Sequence, residues 1–272
     1  MTAVQNWRAR AFNQATDSHN QIHSDEMAKA YGFEGALVPG VTISSYLMHP
    51  AVEAWGEGWL TKGFAKVVVS KPLYDGYEFE VNVSEITATS YQAILVDERG
   101  TQCATAFVRL NEDQPTPPQR RGDALRTDTG RAPAVSQAHM RALQAEGTQA
   151  LIVQWHAEDN LATYLKDRAS MPRLLRFDGA GFANGAFMLG LTNTALAGNT
   201  YMNPWVHVQT ESQFFGPVSD GETLVLECAV EDLFEKKGHQ FVDLRVDAYR
   251  QSDDQAVMSA LLRAIYILRP PT

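Results

Sequence analysis

The sequence predicts an α+β protein in which one unit, an antiparallel sheet packed on a single apolar helix, occurs twice in tandem. The first observation is an internal repeat: Pro217 and Gly221 each lie 145 positions after their counterparts Pro72 and Gly76. The second is a shared turn sequence, Pro-x-x-Asp-Gly, in which proline fixes one backbone dihedral and glycine accepts a positive φ. The third is that long runs of alternating apolar residues follow both turns, which is typical of strands with one buried face.

The repeat also extends upstream of the turns. Gly40 corresponds to Gly185 at the same offset, and each glycine precedes an apolar run, VTISSYLM or AFMLGLTN, that we predict to be helical. These runs are too apolar to lie on a surface, so the sheet should wrap around each helix. The segments NWRARAFNQA and TQALIVQWHA are predicted to be the matching first strands.

These patterns divide the chain into three parts. Residues 1–110 form the first copy, residues 136–272 form the second, and residues 111–135 form a linker rich in proline, glycine and charge. Residues 136–146 are predicted to be a short helix with Ser136 as its N-cap. The two sheets are expected to join edge to edge, because this pairing covers two edge strands.

Composition restricts the classes of partner. The net charge is −9 and no run of lysine or arginine tracks a phosphate backbone, so nucleic acid is not expected as a partner. An anionic ligand would have to be held by local charges. Neither a signal peptide nor a membrane span is recognisable, which predicts a cytoplasmic protein without membrane contact. Cys103 and Cys228 lie in apolar strands outside any metal-binding pattern, so buried thiols and no metal site are expected.

A dense polar cluster precedes the first apolar helix. Within nine residues it contains Asp17, His19, Asn20, His23 and Asp25. Acids, bases and amides at this density suit a site that transfers protons, which requires groups of different pKa close to one substrate. The alternative is a helix entry in which Asp17 or Ser18 is the cap and the remaining polar groups are exposed.

The segment that follows carries a resemblance to a known family. The sequence NQIHSDEMAKAYGFEGALVPG resembles the motif of the MaoC-like (R)-specific enoyl-thioester hydratases and 3-hydroxyacyl-thioester dehydratases. The matching positions are Asn20, Ile22, His23, Asp25, Ala28, Ala30, Gly32, Phe33, Gly35 and Gly40. The resemblance implies a hotdog fold and, with the duplication, a double hotdog covering nearly the whole chain.

Three positions depart from the family pattern. Gln21 replaces a proline, and Pro39 replaces the histidine before the helix glycine. Ser18 replaces the family aspartate, and the nearest acid, Asp17, lies one position earlier. In the family the aspartate and the histidine together hold the water that adds to, or leaves from, the β-carbon of the thioester. The displacement leaves open whether Asp17 or Ser18 takes that part.

The resemblance assigns roles to four residues. His23 would be the general acid-base, and Asp17 would orient it or hold the water. Asn20 would fix the loop or bind the water, while the N–H of Gly40 would stabilise the charge that develops on the thioester oxygen. Substrate contacts are expected from Ser18, Val38, Pro39 and Val41. His19 and His49 are predicted to be exposed or in loops, and Asp25 to be a cap near a helix start.

The resemblance implies an acyl-thioester substrate without a metal or redox cofactor, because coenzyme A or acyl carrier protein would be part of the substrate. The second copy lacks the polar cluster, and its small residues would either widen an acyl tunnel or allow close helix packing. One active and one degenerate half would make a monomeric pseudo-dimer, or a homodimer of double hotdogs. A hotdog thioesterase, with Glu53 as the nearest helix carboxylate, and a non-catalytic acyl-thioester binder are the alternatives.

Overall fold

The computed structural model describes residues 3–16, 18, 20–156 and 158–269. The first half consists of β1 (Trp7–Arg10), α1 (Asp25–Ala30), α2 (Gly40–Trp55), α3 (Glu57–Lys62), β2 (Gly63–Val69), β3 (Glu78–Ser84), β4 (Ser90–Asp97) and β5 (Gln102–Leu110). The second half consists of α4 (Gln137–Glu146), β6 (Leu151–Gln154), α5 (Gly185–Asn199), β7 (Val206–Phe214), β8 (Thr223–Lys236), β9 (His239–Arg250) and β10 (Ala256–Ile267). Element order therefore repeats as predicted.

One antiparallel sheet runs through both halves. Its strand order is β1-β3-β4-β5-β2-β7-β10-β9-β8-β6, so the first five strands belong to the first half. The halves meet where β2 pairs with β7, in a register that opposes Phe64 to Gln213 and Val68 to Gln209. This pairing confirms the predicted edge-to-edge junction, since each strand would otherwise expose unpaired backbone groups.

The sheet wraps two long helices that contact each other. Every residue of α2 from Val41 to Val52 is buried, because apolar side chains lie on all faces of this helix. At the crossing, a side chain on Gly185 would come within 2.7 Å of the Met48 methyl group, so glycine permits the close approach of α5. The small residue at this position serves helix packing, which was one of the two interpretations of the second copy.

The linker contains no strand or helix among the described residues, but it is docked on the second half. The side chain of Glu227 is fully buried and accepts hydrogen bonds from the backbone N–H groups of Arg121 (2.6 Å), Gly122 (2.9 Å) and Asp123 (3.2 Å). Arg120 adds an ion pair at 3.4 Å. A buried carboxylate needs such partners, so this part of the linker is held in one conformation.

The structure corrects one prediction about histidine. His49 was expected to be exposed or in a loop, whereas it lies within α2 and is buried. Its ring stacks on Trp7 at 3.9 Å between centroids, and its Nδ1 lies 2.9 Å from the Tyr164 hydroxyl. Burial lowers the pKa of His49 to about 4. A helix buried on every face buries its polar residues too, and sequence periodicity does not show this.

Local predictions hold elsewhere. Ser136 caps α4 by accepting from the His139 N–H at 3.0 Å, and Gly76 and Gly221 both have φ of +78° in the repeated turns. Cys103 and Cys228 are buried free thiols. None of the helices in the described part of the chain has the length and apolarity that a membrane crossing requires.

Candidate functional site

A cleft of about 670 Å³ opens where the two halves and the linker meet. The first half contributes the end of the polar cluster and the start of α2, while the second half contributes one face of α5 and the approach to β7. The lining residues are Gln14, Ala15, Ser18, Asn20, His23, Val41, Arg126, Thr129, Gly130, Arg131, Ala132, Asn160, Leu161, Gly190, Asn193, Thr194, Ala197, Tyr201, Met202 and Trp205.

His23 stands on the first-half wall of this cleft with one ring nitrogen occupied. It ends a short 3₁₀ turn, Gln21–His23, and its Nδ1 lies 2.8 Å from the carbonyl oxygen of Leu37. A carbonyl only accepts, so Nδ1 carries the proton and Nε2 keeps a lone pair. Burial lowers the pKa of His23, which leaves the ring neutral near pH 7. No described residue bonds Nε2, so this nitrogen can act as a base.

Asn20 uses its amide to join the halves. Its Nδ2 donates to the carbonyl of Trp205 at 3.0 Å, and the Trp205 N–H donates to its Oδ1 at 3.2 Å. Both residues are buried. Of the two predicted roles, fixing the loop matches this geometry, since both ends of the amide are engaged by backbone. Ser18 is exposed at the cleft, and its hydroxyl accepts from the Asn20 N–H at 3.1 Å.

The start of α2 offers free backbone donors. No side chain caps this helix, and among the described residues nothing accepts from the N–H groups of Gly40 and Val41. The equivalent helix α5 differs, because Asn184 caps it by accepting from the N–H groups of Ala186 (2.8 Å) and Phe187 (3.3 Å). Of these two helices, α2 alone has an N-terminus left open by the described residues, and the positive dipole end there favours developing negative charge.

Gly40 itself packs against a histidine of the second half. A side chain at Gly40 would meet the His207 ring at 3.0 Å from Cδ2, and Val41, not Gly40, lines the cleft. Val38 and Pro39, which immediately precede α2, are buried and do not line the cleft. The substrate contacts expected of these two residues therefore stay a prediction.

A buried polar chain connects His207 to the cleft. Its Nδ1 lies 3.0 Å from Oδ1 of Asn193, and its Nε2 bonds the Thr210 hydroxyl. Burial lowers the pKa of His207 to about 3, so the ring is neutral, donates through Nδ1 and accepts from Thr210. The Asn193 amide is thereby oriented, and its NH₂ group has no acceptor among the described residues. Sequence reasoning missed Asn193, although it is the polar end of the apolar run AFMLGLTN.

Gln14 is a second residue that the motif did not indicate. It is buried at the cleft, accepts from the Thr42 hydroxyl at 2.6 Å and donates to the Thr163 carbonyl at 2.8 Å. These bonds tie the first-half loop to α2 and to the second half. Asp25, predicted as a cap, instead accepts from the Ala36 N–H at 2.8 Å and fixes the loop before α2.

The acidic partner of His23 is the part of the predicted site that the structure does not place. Asp17 and His19 lie outside the described residues. The described residues that line the cleft include no carboxylate, and its only charged lining groups are Arg126 and Arg131. Within the described ranges, no group of three or more His, Cys, Asp or Glu side chains is arranged to hold a metal ion.

Comparison with solved structures shows that the fold is a double hotdog. RV0216 of Mycobacterium tuberculosis, described as having this fold, matches at a TM-score of 0.57 with 13% identity over 97% of this chain and 96% of its own. A protein of Chloroflexus aurantiacus described as a MaoC domain dehydratase matches at 0.56 with 11% identity over 99% and 96%.

A third similar structure carries a different description. A Lactobacillus plantarum protein described as an oleoyl thioesterase matches at a TM-score of 0.50 with 11% identity, over 97% of this chain and 96% of its own. No family model matches the sequence, and no curated protein matches it either. At identities this low, the structural similarity establishes the fold alone. The chemistry has to be inferred from the residues of the cleft.

Proposed function

We propose that this protein adds water to, or removes water from, the C2–C3 bond of an enoyl or 3-hydroxyacyl thioester. The observation that carries the proposal is the state of His23: a neutral imidazole on a cleft wall, with Nδ1 fixed by the Leu37 carbonyl and Nε2 free. A general base near neutrality needs this protonation state and a fixed orientation. The resemblance of its surrounding motif to the MaoC-like hydratases and the double hotdog fold point to the same chemistry.

In the dehydration direction, Nε2 of His23 removes the proton from C2 and electron density moves onto the thioester oxygen. The free N–H groups at the start of α2 and the oriented amide of Asn193 are the donors available to stabilise that charge. The C3–O bond then breaks as the C2–C3 double bond forms, and the leaving hydroxide takes the proton from the imidazolium to become water. Hydration is the reverse sequence, and the histidine ends each cycle unchanged.

The acyl carrier is coenzyme A or acyl carrier protein in this proposal, and neither a metal nor a redox cofactor takes part in the steps. Because one chain supplies both walls of the cleft, a single double hotdog is the proposed working unit. The cytoplasm remains the proposed location, in keeping with two buried free thiols.

The main test is His23→Ala with His156→Ala as the matched control. His156 is an exposed histidine of the second half that does not line the cleft. We expect His23→Ala to lose about 10²–10⁴-fold in turnover of a trans-enoyl thioester, measured by loss of the enoyl absorbance. The control should keep its rate, and both variants should unfold near the wild-type temperature. Full activity in His23→Ala would refute the proposal.

The identity of the acidic partner needs its own experiment. If Asp17 supports a protonated His23, Asp17→Asn should lower turnover by about 10²–10⁴-fold while Ser18→Ala has little effect. If Ser18 holds the water, Ser18→Ala should lower turnover instead. Asp17→Asn should then have little effect, because asparagine caps a helix as well as aspartate does. If the wild type is active and neither variant lowers turnover, neither residue takes part in the mechanism.

The thioesterase alternative is separated by product and by position. A thiol reagent detects the free thiol that thioester cleavage releases, whereas hydration releases none. Glu53, the nearest helix carboxylate in the sequence, lies 13 residues beyond Gly40, which is about 20 Å along α2. That distance places Glu53 away from the cleft, so the geometry favours hydration. Binding of an enoyl thioester without turnover by the wild type would instead indicate the non-catalytic binder.

A further inference from the structure

We infer that the linker forms a binding site for the phosphate of a pantetheine-type carrier, through two arginines at the cleft. This inference rests on the proposed function, since it assigns the carrier end of the same thioester. Of the four arginines in the linker, Arg126 and Arg131 line the cleft, and we call these two the cleft arginines. Thr129, Gly130 and Ala132 line the cleft beside them. The cleft arginines bring positive charge to a molecule whose net charge is −9, which would otherwise repel an anionic substrate.

The cleft arginines differ from the other two linker arginines, because no carboxylate of the described residues pairs with them. Arg120 pairs with Glu227 and Asp254, and Arg121 pairs with Asp123 and Asp247. In the described part of the chain, no ion pair involves Arg126 or Arg131. Two positive charges at one cleft, with no counter-ion among the residues that the structure describes, are suited to an anionic ligand.

Arg126 is fixed by backbone carbonyls, which orient its side chain without neutralising it. Its Nε donates to the Asp128 carbonyl at 3.0 Å, and its two terminal nitrogens donate to the carbonyls of Gly198 and Gly130. The segment itself is anchored, because the Arg126 N–H donates to the Ala150 carbonyl at 2.9 Å. A guanidinium has five N–H donors, so two remain for a ligand. The nearby Asp128 carboxylate accepts from the Gly130 N–H at 2.7 Å.

Arg131 is fixed by an aromatic ring and keeps all its donors. Its guanidinium lies over the Tyr201 ring at 4.3 Å from the centroid, and no described residue accepts a hydrogen bond from it. Stacking of this kind positions a planar cation while its N–H edge stays free. A free planar edge matches the bidentate geometry that arginine uses with phosphate.

The ligand must reach both the arginines and His23, because all three line one cleft. A thioester of 4′-phosphopantetheine has this form: a reactive acyl group at one end, a polar but uncharged arm, and a phosphate at the other. Coenzyme A and holo carrier protein both present this phosphate. The two arginines select for the shared phosphate, and the experiment separates its two sources.

The test compares the binding of 4′-phosphopantetheine and of pantetheine, which lacks the phosphate, to the full chain by calorimetry. We expect the wild type to bind the phosphorylated probe about 10-fold more tightly, as one charge-assisted contact would give. Arg131→Gln should bring the ratio close to one. Arg8→Gln is the matched control, since it removes the same charge from an exposed position outside the cleft and should leave the ratio unchanged. Equal wild-type affinities, absence of binding, or an unchanged ratio in Arg131→Gln would overturn the inference.

Two further measurements sharpen the result. Raising the salt concentration should weaken binding of the phosphorylated probe and leave pantetheine unaffected, because salt screens charges. Competition against the bound probe by coenzyme A, and separately by holo carrier protein, identifies the source from whichever competes more tightly; competition by neither contradicts the carrier assignment.

Failure of this inference is distinct from failure of the proposed function. An enoyl thioester of N-acetylcysteamine has no phosphate, so its turnover depends on His23 and not on the linker. Turnover of this substrate with an unchanged binding ratio in Arg131→Gln overturns the phosphate site and keeps the hydratase. The expected ratios without turnover of any enoyl thioester keep the phosphate site and overturn the hydratase.

Discussion

Replacing Asn20 with alanine is expected to lower the free energy of unfolding by about 2–4 kcal/mol, because this residue joins the two halves. The amide of Asn20 satisfies the N–H and the carbonyl of Trp205, 185 residues later, at 3.2 and 3.0 Å. Both residues are buried, with 7% and 6% of their surface exposed. A buried backbone group left without a partner costs about 1–3 kcal/mol, and alanine would leave two. The lower part of the summed range applies because water from the cleft can reach one side.

Urea unfolding gives the measurement, with Gln21→Ala as the matched control. The Gln21 side chain is exposed, and among the described residues Gln21 forms hydrogen bonds only through its backbone: its N–H donates to Asn203 at 3.0 Å and its carbonyl accepts from Ser24. Alanine keeps these backbone bonds, so this variant should stay within about 0.5 kcal/mol of the wild type. Asn20→Asp keeps the acceptor for the Trp205 N–H but loses the donor to the Trp205 carbonyl. Its destabilisation should be smaller at acidic pH, because a protonated carboxyl can donate again. An Asn20→Ala midpoint equal to that of the control would refute the assigned hydrogen bonds.

Three other outcomes follow from the fold. The pKa of about 3 for His207 lies below the unfolded value of 6.5, so the unfolded state binds more protons between these pH values. The free energy of unfolding should therefore fall as pH drops, by up to about 1.4 kcal/mol per pH unit. His207→Gln should make the urea midpoint depend less on pH between pH 7 and 4. Gly40→Ala should cost about 1–3 kcal/mol by the same assay, because the added methyl meets a hydrogen-bonded ring at 3.0 Å; an unchanged midpoint would show that the ring moves freely. Cleavage between Pro117 and Pro118 should leave the fragments associated on size exclusion, since β2 and β7 remain paired; separation without denaturant would contradict this.

Much of the architecture was predictable because it depends on short-range patterns. The offset of 145 residues located both copies of the turn and the starts of α2 and α5. Alternation located the strands, and the demand of an open sheet edge for a partner predicted the β2–β7 junction. The motif also indicated His23 as a candidate, because the residue types around it are local in sequence, and the structure places this residue at the cleft. These features follow from properties that a chain segment carries wherever it is placed.

The sequence did not show how distant segments complete one cleft, because that depends on which side chains the closed sheet brings together. Asn20 reads as a motif residue, yet its amide is committed to Trp205 in the other half. His207 and Asn193 belong to different elements of the second copy, and only folding makes them one buried polar chain beside Gly40. The arginines at 126 and 131 look like ordinary linker charges until the segment docks. Secondary structure is decided by neighbours along the chain, whereas burial, tautomer and counter-ion are decided by neighbours in space.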